Sequence, residues 1–142
     1  MGAGRGGSRG PRRRTAVVIV AGIGSGTGVG ADEIVGIVRR AETLAGLRAD
    51  CLAAPWFRNP DAARQAAREL GMAFAFVPEA AMKAAAPRCP TRSDRALAAH
   101  GVASVAEGCA LAACGPDSSL LLPRIAAGRL TCALAATGGS RR

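Results

Sequence analysis

A run of glycines and hydroxyl residues follows an apolar, β-branched segment at residues 15–21 and leads directly into a helical pattern. The members of this run are Gly22, Gly24, Ser25, Gly26 and Thr27. A glycine turn between a strand and a helix directs several backbone N–H groups at one spot beside the helix N-terminus, which favours an anion. The run therefore predicts an anion-binding loop and leaves the identity of the anion open.

A dinucleotide site is the first specific hypothesis for such a loop, since Gly26, Gly28 and Ala31 fit the spacing G-x-G-x-x-A. The register is poor, because the predicted strand ends near Ala21 and the turn should begin at Gly22. The second predicted strand also lacks the terminal acid that binds a ribose hydroxyl. We therefore expect no dinucleotide and no other cofactor. A tight turn that needs only the conformational freedom of glycine is the alternative.

Glu107 is an acid with two roles open to it. It is the fourth residue of Ser104-Val-Ala-Glu107, a capping-box pattern in which the carboxylate accepts a hydrogen bond from the N–H of Ser104. Such a cap contributes ~1 kcal/mol, so structure alone is a sufficient reason for both residues. The same carboxylate could also act as a general base.

Four arginines lie in or beyond an irregular, proline-containing segment at residues 87–95. They are Arg88, Arg92, Arg95 and Arg124. Guanidinium groups pair with carboxylates through two parallel hydrogen bonds, so a cluster of them would suit an acidic ligand. A solvated basic loop is the alternative.

The sequence predicts no metal site and no disulfide framework. His100 is the only histidine, no cluster of carboxylates takes its place, and Cys109 and Cys114 face different directions of one helix. The five cysteines form an odd set without C-x-x-C spacing, which indicates a reducing compartment. His100 is most simply a helix-end residue before Gly101, and a catalytic role is the alternative.

The net charge of +9 is concentrated at the ends of the chain. Five arginines lie within residues 1–14, which contain no acid, and Arg141 and Arg142 add two, so 9 − 5 − 2 leaves +2 for residues 15–140. Charge in glycine-rich ends is typical of solvated tails, so we do not expect a basic nucleic-acid-binding face on the folded domain; nucleic-acid binding through the Arg-rich tail is a weaker alternative. No apolar run approaches the roughly 20 residues that cross a bilayer. We therefore predict a cytoplasmic protein without a membrane partner.

These residues need a scaffold that brings strand ends and helix starts together. Apolar runs predict strands at residues 15–21, 47–54, 73–77, 120–122 and 130–135, and periodic segments between them predict helices. This order predicts one α/β domain: three layers, α/β/α, with a mixed, mainly parallel sheet of about five strands that ends in a hairpin. Its expected bounds are residues 15–137. The flanking segments 1–14 and 138–142 are expected to be disordered tails.

Several segments, taken in order, resemble one family. They are Val20-Ala-Gly-Ile-Gly24, Gly28, Asp32-Glu-Ile34, Gly101-Val-Ala-Ser-Val-Ala-Glu107, Leu120-Leu-Leu-Pro-Arg124 and Leu130-Thr-Cys-Ala-Leu-Ala135. From about residue 15 to 136 the chain resembles the CobE/CbiG C-terminal-domain family of cobalamin biosynthesis, which includes the C-terminal domain of cobalt-precorrin 5A hydrolase. The resemblance implies a ring-contracted precorrin or corrin intermediate as the partner, with other enzymes of the pathway as further partners.

The resemblance also implies a chemistry, because the anaerobic enzyme of the family opens a δ-lactone with loss of a two-carbon aldehyde. Opening a lactone needs a base, for which Glu107 and Glu33 are the candidates, and an oxyanion stabiliser, for which the amides of residues 24–27 are the candidates. The residues expected to bind the carboxylate arms are the glycine run with Ser104, Arg92 and Arg124. A non-catalytic carrier or accessory subunit is the alternative function.

Overall fold

The computed structural model describes residues 17–138, which form one sheet covered by helices on both faces. The strands are β1 (Ile19–Ser25), β2 (Cys51–Pro55), β3 (Ala73–Val77), β4 (Ser119–Ala127) and β5 (Leu130–Ala136). The α-helices are α1 (Ala31–Ala45), α2 (Asp61–Leu70), α3 (Glu79–Ala85), α4 (Asp94–His100) and α5 (Val105–Cys114). The predicted α/β fold with a mixed sheet of five strands is confirmed.

The sheet has the strand order β3-β2-β1-β5-β4. β1, β2 and β3 are parallel neighbours, whereas β5 runs antiparallel to both β1 and β4. Four strands therefore share one direction. The carboxyl ends of β1 and β2 lie at the same edge as the turn of the β4–β5 hairpin, where Ser25 is in register with Leu130.

Residues of β1 alternate between two cores, one on each face of the sheet. Ala21 and Ile23 belong to the core that α1 and α2 cover. Val20 belongs to the core on the other face, with Met82 of α3 and Cys109 of α5. A central strand covered on both faces carries no polar alternation, which agrees with the continuous apolar run in the sequence.

Helix α5 lies directly on β1 at Gly22. A Cβ added to Gly22 would lie 2.3 Å from the carbonyl oxygen of Ala106 and 2.4 Å from the nitrogen of Ala110. A Cβ added to Gly24 would lie 2.7 Å from Thr131 Oγ1. Glycine inside a strand often marks such a close approach of another backbone, and here it lets α5 reach the sheet.

The bounds of several elements differ from those that the sequence predicts. β2 begins at Cys51 and not at residue 47. β1 extends to Ser25 instead of ending at Ala21, so the first glycines of the run are strand residues. β4 has nine residues instead of three, because it continues past a proline through an irregular register. α4 begins at Asp94, inside the segment 87–95 that the sequence predicts to be irregular, and it ends at His100 before the left-handed Gly101, which agrees with the interpretation of His100 as a helix-end residue.

The ends of the chain bear on two further predictions. The segments 1–14 and 139–142 lie outside the described residues, so the disorder of the tails and the domain bounds stay predictions. Within residues 17–138, no single helix is long and apolar enough to cross a membrane. By length and composition alone, α4 and α5 together meet that test as a pair bent by 66°.

Candidate functional site

Two adjoining clefts open at the edge of the sheet where β1 and β2 end. The larger, of about 410 Å³, lies between the end of β1, α4, the start of α5 and the β4–β5 turn. The smaller, of about 310 Å³, lies between the β1–α1 loop and the start of α2. Ser25, Gly26 and Arg58 line both clefts. The carboxyl edge of parallel strands is the usual place for a ligand in an open α/β sheet.

Four arginines come together in the larger cleft, which is termed the cationic cleft. They are Arg58 after β2, Arg95 in α4, Arg124 in β4 and Arg129 in the hairpin turn. Among the described residues that line this cleft, none is an aspartate or a glutamate. Four arginines from four segments thus line one space without an acidic residue in its described lining, and this arrangement favours a ligand with several negative charges.

Arg58 is anchored to the end of β1. Its Nε donates a hydrogen bond to the carbonyl oxygen of Ser25 at 2.7 Å, and its guanidinium carbon lies 5.1 Å from the ring centroid of Phe57. The side chain is half-buried. These contacts hold the guanidinium between the two clefts, where a ligand in either one can pair with its other N–H groups.

Arg129 connects the hairpin turn to the β1–α1 loop in two ways. Its carbonyl oxygen accepts a hydrogen bond from the N–H of Gly26 at 3.0 Å. Its guanidinium Nη1 donates to the carbonyl oxygen of Thr27. The last two strands therefore fix the conformation of the glycine run, which lies about one hundred residues earlier in the chain.

His100 lines the cationic cleft from the end of α4. Its imidazole stacks on the ring of Phe57, with centroids 3.6 Å apart and an interplanar angle of 8°. Burial, followed by the charge of Arg58, lowers the pKa of His100 below its usual 6.5. The neutral ring therefore dominates near pH 7, and its unprotonated nitrogen can accept a proton when an anion enters the cleft.

The glycine run does not present a continuous row of unbonded amides. Gly22 and Gly24 lie inside β1, in register with Ala133 and Thr131 of β5. The N–H of Gly26 is bonded to Arg129, as described above. The interpretation of the first glycines as a turn beyond the strand is wrong, because close packing of α5 and not a turn requires them. Gly24, Ser25, Gly26 and Thr27 nevertheless line one or both clefts.

Glu33 lies in the first turn of α1 and closes that helix end. Its carboxylate Oε1 accepts a hydrogen bond from the N–H of Gly30, the N-cap residue, at 3.1 Å. This is one of the two hydrogen bonds that make up a capping box. The side chain is exposed and lines neither cleft. A role as a base stays a prediction, and the contact that the structure gives this carboxylate is a helix cap.

Glu107 is fully buried in the first turn of α5, with 0% of its surface exposed. Its Oε1 accepts from the N–H of Thr91 at 3.0 Å, and its Oε2 accepts from Thr91 Oγ1 at 2.8 Å and from the N–H of Arg124 at 3.0 Å. The expected bond back to the N–H of Ser104 is replaced by these three. Ser104 itself is buried and caps α5, accepting from the N–H of Glu107 at 3.5 Å.

The predicted arginines separate into two groups. Arg95 and Arg124 reach the cationic cleft. Arg92 is exposed and does not line it. Arg88 lies elsewhere and holds the end of α5, where it donates to the carbonyl oxygens of Ser118 and Gly115 at 2.8 and 3.2 Å. The irregular basic segment therefore supplies one cleft residue and one structural residue.

Sequence reasoning missed Arg58, Arg129 and Phe57, and it gave His100 only a secondary role. Arg58 lies in the loop that follows β2, three residues after the strand end at Pro55, and ligand residues are common at such positions, so the sequence offered a signal for it. Arg129 carries no such signal, because its place depends on β5 pairing with β1 instead of with a neighbour in sequence.

The smaller cleft has a different character and is termed the apolar cleft. Ile23, Val29, Ile34, Ala54 and Ala62 contribute to its walls, and Asp61 is its acidic residue. Within residues 17–138, no group of three or more His, Cys, Asp or Glu residues is placed to hold a metal ion. The described part of the site can therefore contribute guanidinium groups, amides and an apolar wall to a ligand.

The comparisons with known proteins agree with this architecture. The family model described as cobalamin synthesis G C-terminus matches residues 19–135. The chain belongs to this family. The predicted resemblance is confirmed, and the chain is a cobalamin biosynthesis protein of the CobE/CbiG family.

Two solved structures of the family extend over most of the chain. CobE, a protein from the cobalamin (vitamin B12) biosynthetic pathway, is 30% identical with a TM-score of 0.78, and the match covers 84% of this chain and 90% of CobE. Cobalamin biosynthesis protein chiG from Agrobacterium tumefaciens is 35% identical with a TM-score of 0.69, covering 83% of this chain and 97% of that protein. No curated protein matches the chain.

Proposed function

We propose that this protein binds a polycarboxylate corrinoid intermediate of cobalamin biosynthesis in the cationic cleft. The observation that carries the proposal is the convergence of Arg58, Arg95, Arg124 and Arg129 on one space without an acidic residue in its described lining. Corrin precursors carry acetate and propionate arms around a ring, so they need several cationic groups spaced apart. Membership in a family of cobalamin synthesis proteins supports this ligand over other polyanions.

Within this proposal, a carrier or accessory role fits the site better than opening of a lactone. Hydrolysis of a lactone needs a base to activate water, and both candidate carboxylates accept hydrogen bonds from the protein's own donors. Glu107 is also fully buried. The amides assigned to the oxyanion are partly used by β5 and Arg129. We therefore assign ligand binding to the cleft and no proton abstraction to either glutamate.

Titration of the full chain with a hydrogenobyrinate-type pigment, followed by its visible spectrum, tests binding. We expect a saturable spectral change that weakens with added salt, because the contacts are ionic. A corrinoid whose arms are all amidated is the matched ligand control and should bind at least roughly tenfold more weakly, the effect of losing charge-assisted hydrogen bonds. Equal affinity for the two pigments contradicts the proposal.

Two arginine variants locate the site. Arg124→Met should weaken binding of the acidic pigment roughly tenfold, since it removes a guanidinium from the cleft and keeps an aliphatic stem. Arg40→Met is the control, because Arg40 is exposed on α1 and lines neither cleft. Single-turnover incubation with a lactone-containing precorrin then separates the two roles: bound but unchanged pigment supports a carrier, and product formation overturns that assignment.

A further inference from the structure

Glu107 connects two segments that both lead into the cationic cleft. It is a carboxylate with 0% exposure, and burying a charge is unfavourable unless hydrogen bonds satisfy it. Two of its three donors belong to Thr91, in the segment before α4, and the third is the N–H of Arg124 in β4. One buried side chain of α5 thus holds two other parts of the chain.

The contact with β4 coincides with an irregularity in that strand. Leu122 is in register with Leu134 and Ile125 with Cys132, so β4 carries one extra residue between these pairs. A β-bulge leaves a residue out of the ladder and redirects its side chain. The N–H of Arg124 lies in this interval and donates to Glu107 Oε2. Glu107 Oε2 therefore accepts the hydrogen bond of the Arg124 N–H at the point where the regular ladder between β4 and β5 is interrupted.

The contact with Thr91 acts on a second wall of the cleft, the one formed by α4. Ser93, two residues later, caps α4, and its N–H donates to the carbonyl oxygen of Ala103 at 2.7 Å. Ser93 and Arg95 both line the cationic cleft. Holding Thr91 therefore fixes the start of the helix that carries Arg95.

We infer that Glu107 is a positioning residue for the cationic cleft: its buried carboxylate holds the β4 bulge and the start of α4 so that Arg124 and Arg95 face the same ligand. This inference rests on the proposed function for the identity of the ligand. It assigns Glu107 no contact with the ligand and no proton transfer.

Glu107→Gln in the full chain is the direct test. One oxygen becomes an NH₂ group that faces an N–H or O–H donor, so at least one of the three bonds is lost. We expect affinity for hydrogenobyrinate to fall roughly tenfold or more. Arg124→Met should then cause no further loss in the Glu107→Gln background, although it weakens the wild-type chain. Independent, additive losses from the two substitutions overturn the inference.

Glu42→Gln is the matched control, because Glu42 is also a buried carboxylate that accepts a backbone N–H, from Ala49 at 2.8 Å, and it lies away from both clefts. It should lower the free energy of unfolding and leave the affinity unchanged. If Glu107→Gln behaves in the same way, Glu107 is a purely structural residue and the inference fails.

Two milder variants at Thr91 keep the test open if Glu107→Gln does not fold. Thr91→Val removes the hydroxyl donor and should weaken binding of hydrogenobyrinate. Thr91→Ser retains the hydroxyl and should bind with wild-type affinity. Equal binding by both variants contradicts the inference.

Hydrogen exchange separates failure of the inference from failure of the proposed function. Without any ligand, Glu107→Gln should speed amide exchange in both segments, residues 91–95 and 122–126, and Glu42→Gln should not. Unchanged exchange in these segments overturns the positioning role itself. A wild-type chain that does not bind hydrogenobyrinate instead overturns the proposed function.

Discussion

His100 is the residue whose protonation should report on the cationic cleft. Burial and the charge of Arg58 lower its pKa, so the folded chain resists protonation of this ring. The stability that His100 contributes is complete above pH 6.5 and is lost as the pH falls below that value. An NMR titration of this single histidine should give a midpoint under 6.5, and Arg58→Gln should raise it. A midpoint at or above 6.5 in the free chain contradicts the described environment.

Binding of an acidic ligand should raise the pKa of His100, which is lowered in the free chain. Carboxylates in the cleft favour the imidazolium, so binding takes up a proton and the affinity for hydrogenobyrinate should rise as the pH falls from about 8 to about 6. His100→Gln should remove this pH dependence and leave the arginine contacts in place. The measurement is the dissociation constant at several pH values for both chains, and an identical pH profile in the variant would exclude His100 as its source.

Glu33 offers a test of the remaining catalytic candidate. Its carboxylate caps α1 through the N–H of Gly30, so Glu33→Gln should lower the free energy of unfolding by about 0.5 kcal/mol through loss of a charge at the helix N-terminus. Binding of the acidic pigment should not change. Asp32→Asn, which removes a neighbouring charge from the same exposed turn, is the control. If the wild-type chain forms product from a lactone-containing precorrin, and Glu33→Gln abolishes this while Asp32→Asn does not, Glu33 is instead a base.

At the scale of elements, the packing of α5 on β1 depends on the absence of a side chain at Gly22. Gly22→Ala would place a Cβ within 2.4 Å of two backbone atoms of α5, which cannot rotate away. We expect a loss of about 3 kcal/mol or more in the free energy of unfolding, measured by chemical denaturation.

Gly36→Ala is the opposite case and serves as the control. Gly36 lies in α1 with nothing within 4 Å of an added Cβ. Alanine favours a helix over glycine, so this variant should gain about 0.5–1 kcal/mol. Similar effects at the two positions would show that α5 does not press on β1 at Gly22.

The same packing explains which parts of the fold the sequence predicts and which it does not. Strand and helix order follows from local patterns, and the helix ends at Gly46 and Gly71 are both left-handed caps as their glycines suggest. The end of β1 is different, because glycines required by close approach and glycines required by a turn look alike in one sequence. The packing of α5 against β1 shows that Gly22 is required by close approach and not by a turn.

The same distinction applies to the candidate site: local sequence identifies some of its residues, and others depend on contacts between distant segments. Arg124 could be identified from its residue type and its place after a predicted strand. The role of Glu107 could not, because a capping box and a tether to two distant segments share one local pattern. Arg129 was missed since it reaches the cleft only through the pairing of β5 with β1, which is not local in sequence.

At the scale of the whole molecule, buried thiols should report on global stability. Burial raises the pKa of Cys89 to about 11 and that of Cys132 to about 12, and it also raises the pKa of Cys109. The thiolate is the reactive form, so these groups are nearly unreactive in the folded chain near pH 8.

We therefore expect alkylation by iodoacetamide, followed by mass spectrometry, to modify these three buried cysteines only as fast as the chain unfolds. Destabilising variants such as Gly22→Ala should speed the reaction, and in denaturant all five cysteines should react. Rapid modification of Cys132 in the stable wild-type chain would contradict its burial between β1 and β4.

The central place of β5 has a consequence for the order in which the protein matures. β1 is made early but has one flank that only β5 can complete, and the hydrogen bonds of Arg129 to the glycine run span about one hundred residues. During synthesis the nascent chain must therefore wait with an open, apolar strand edge until the distal hairpin leaves the ribosome. Because Arg124, Arg129 and Thr131 line the cationic cleft, its wall is complete only once this hairpin has paired with β1, and a C-terminally shortened polypeptide lacks that part of the wall.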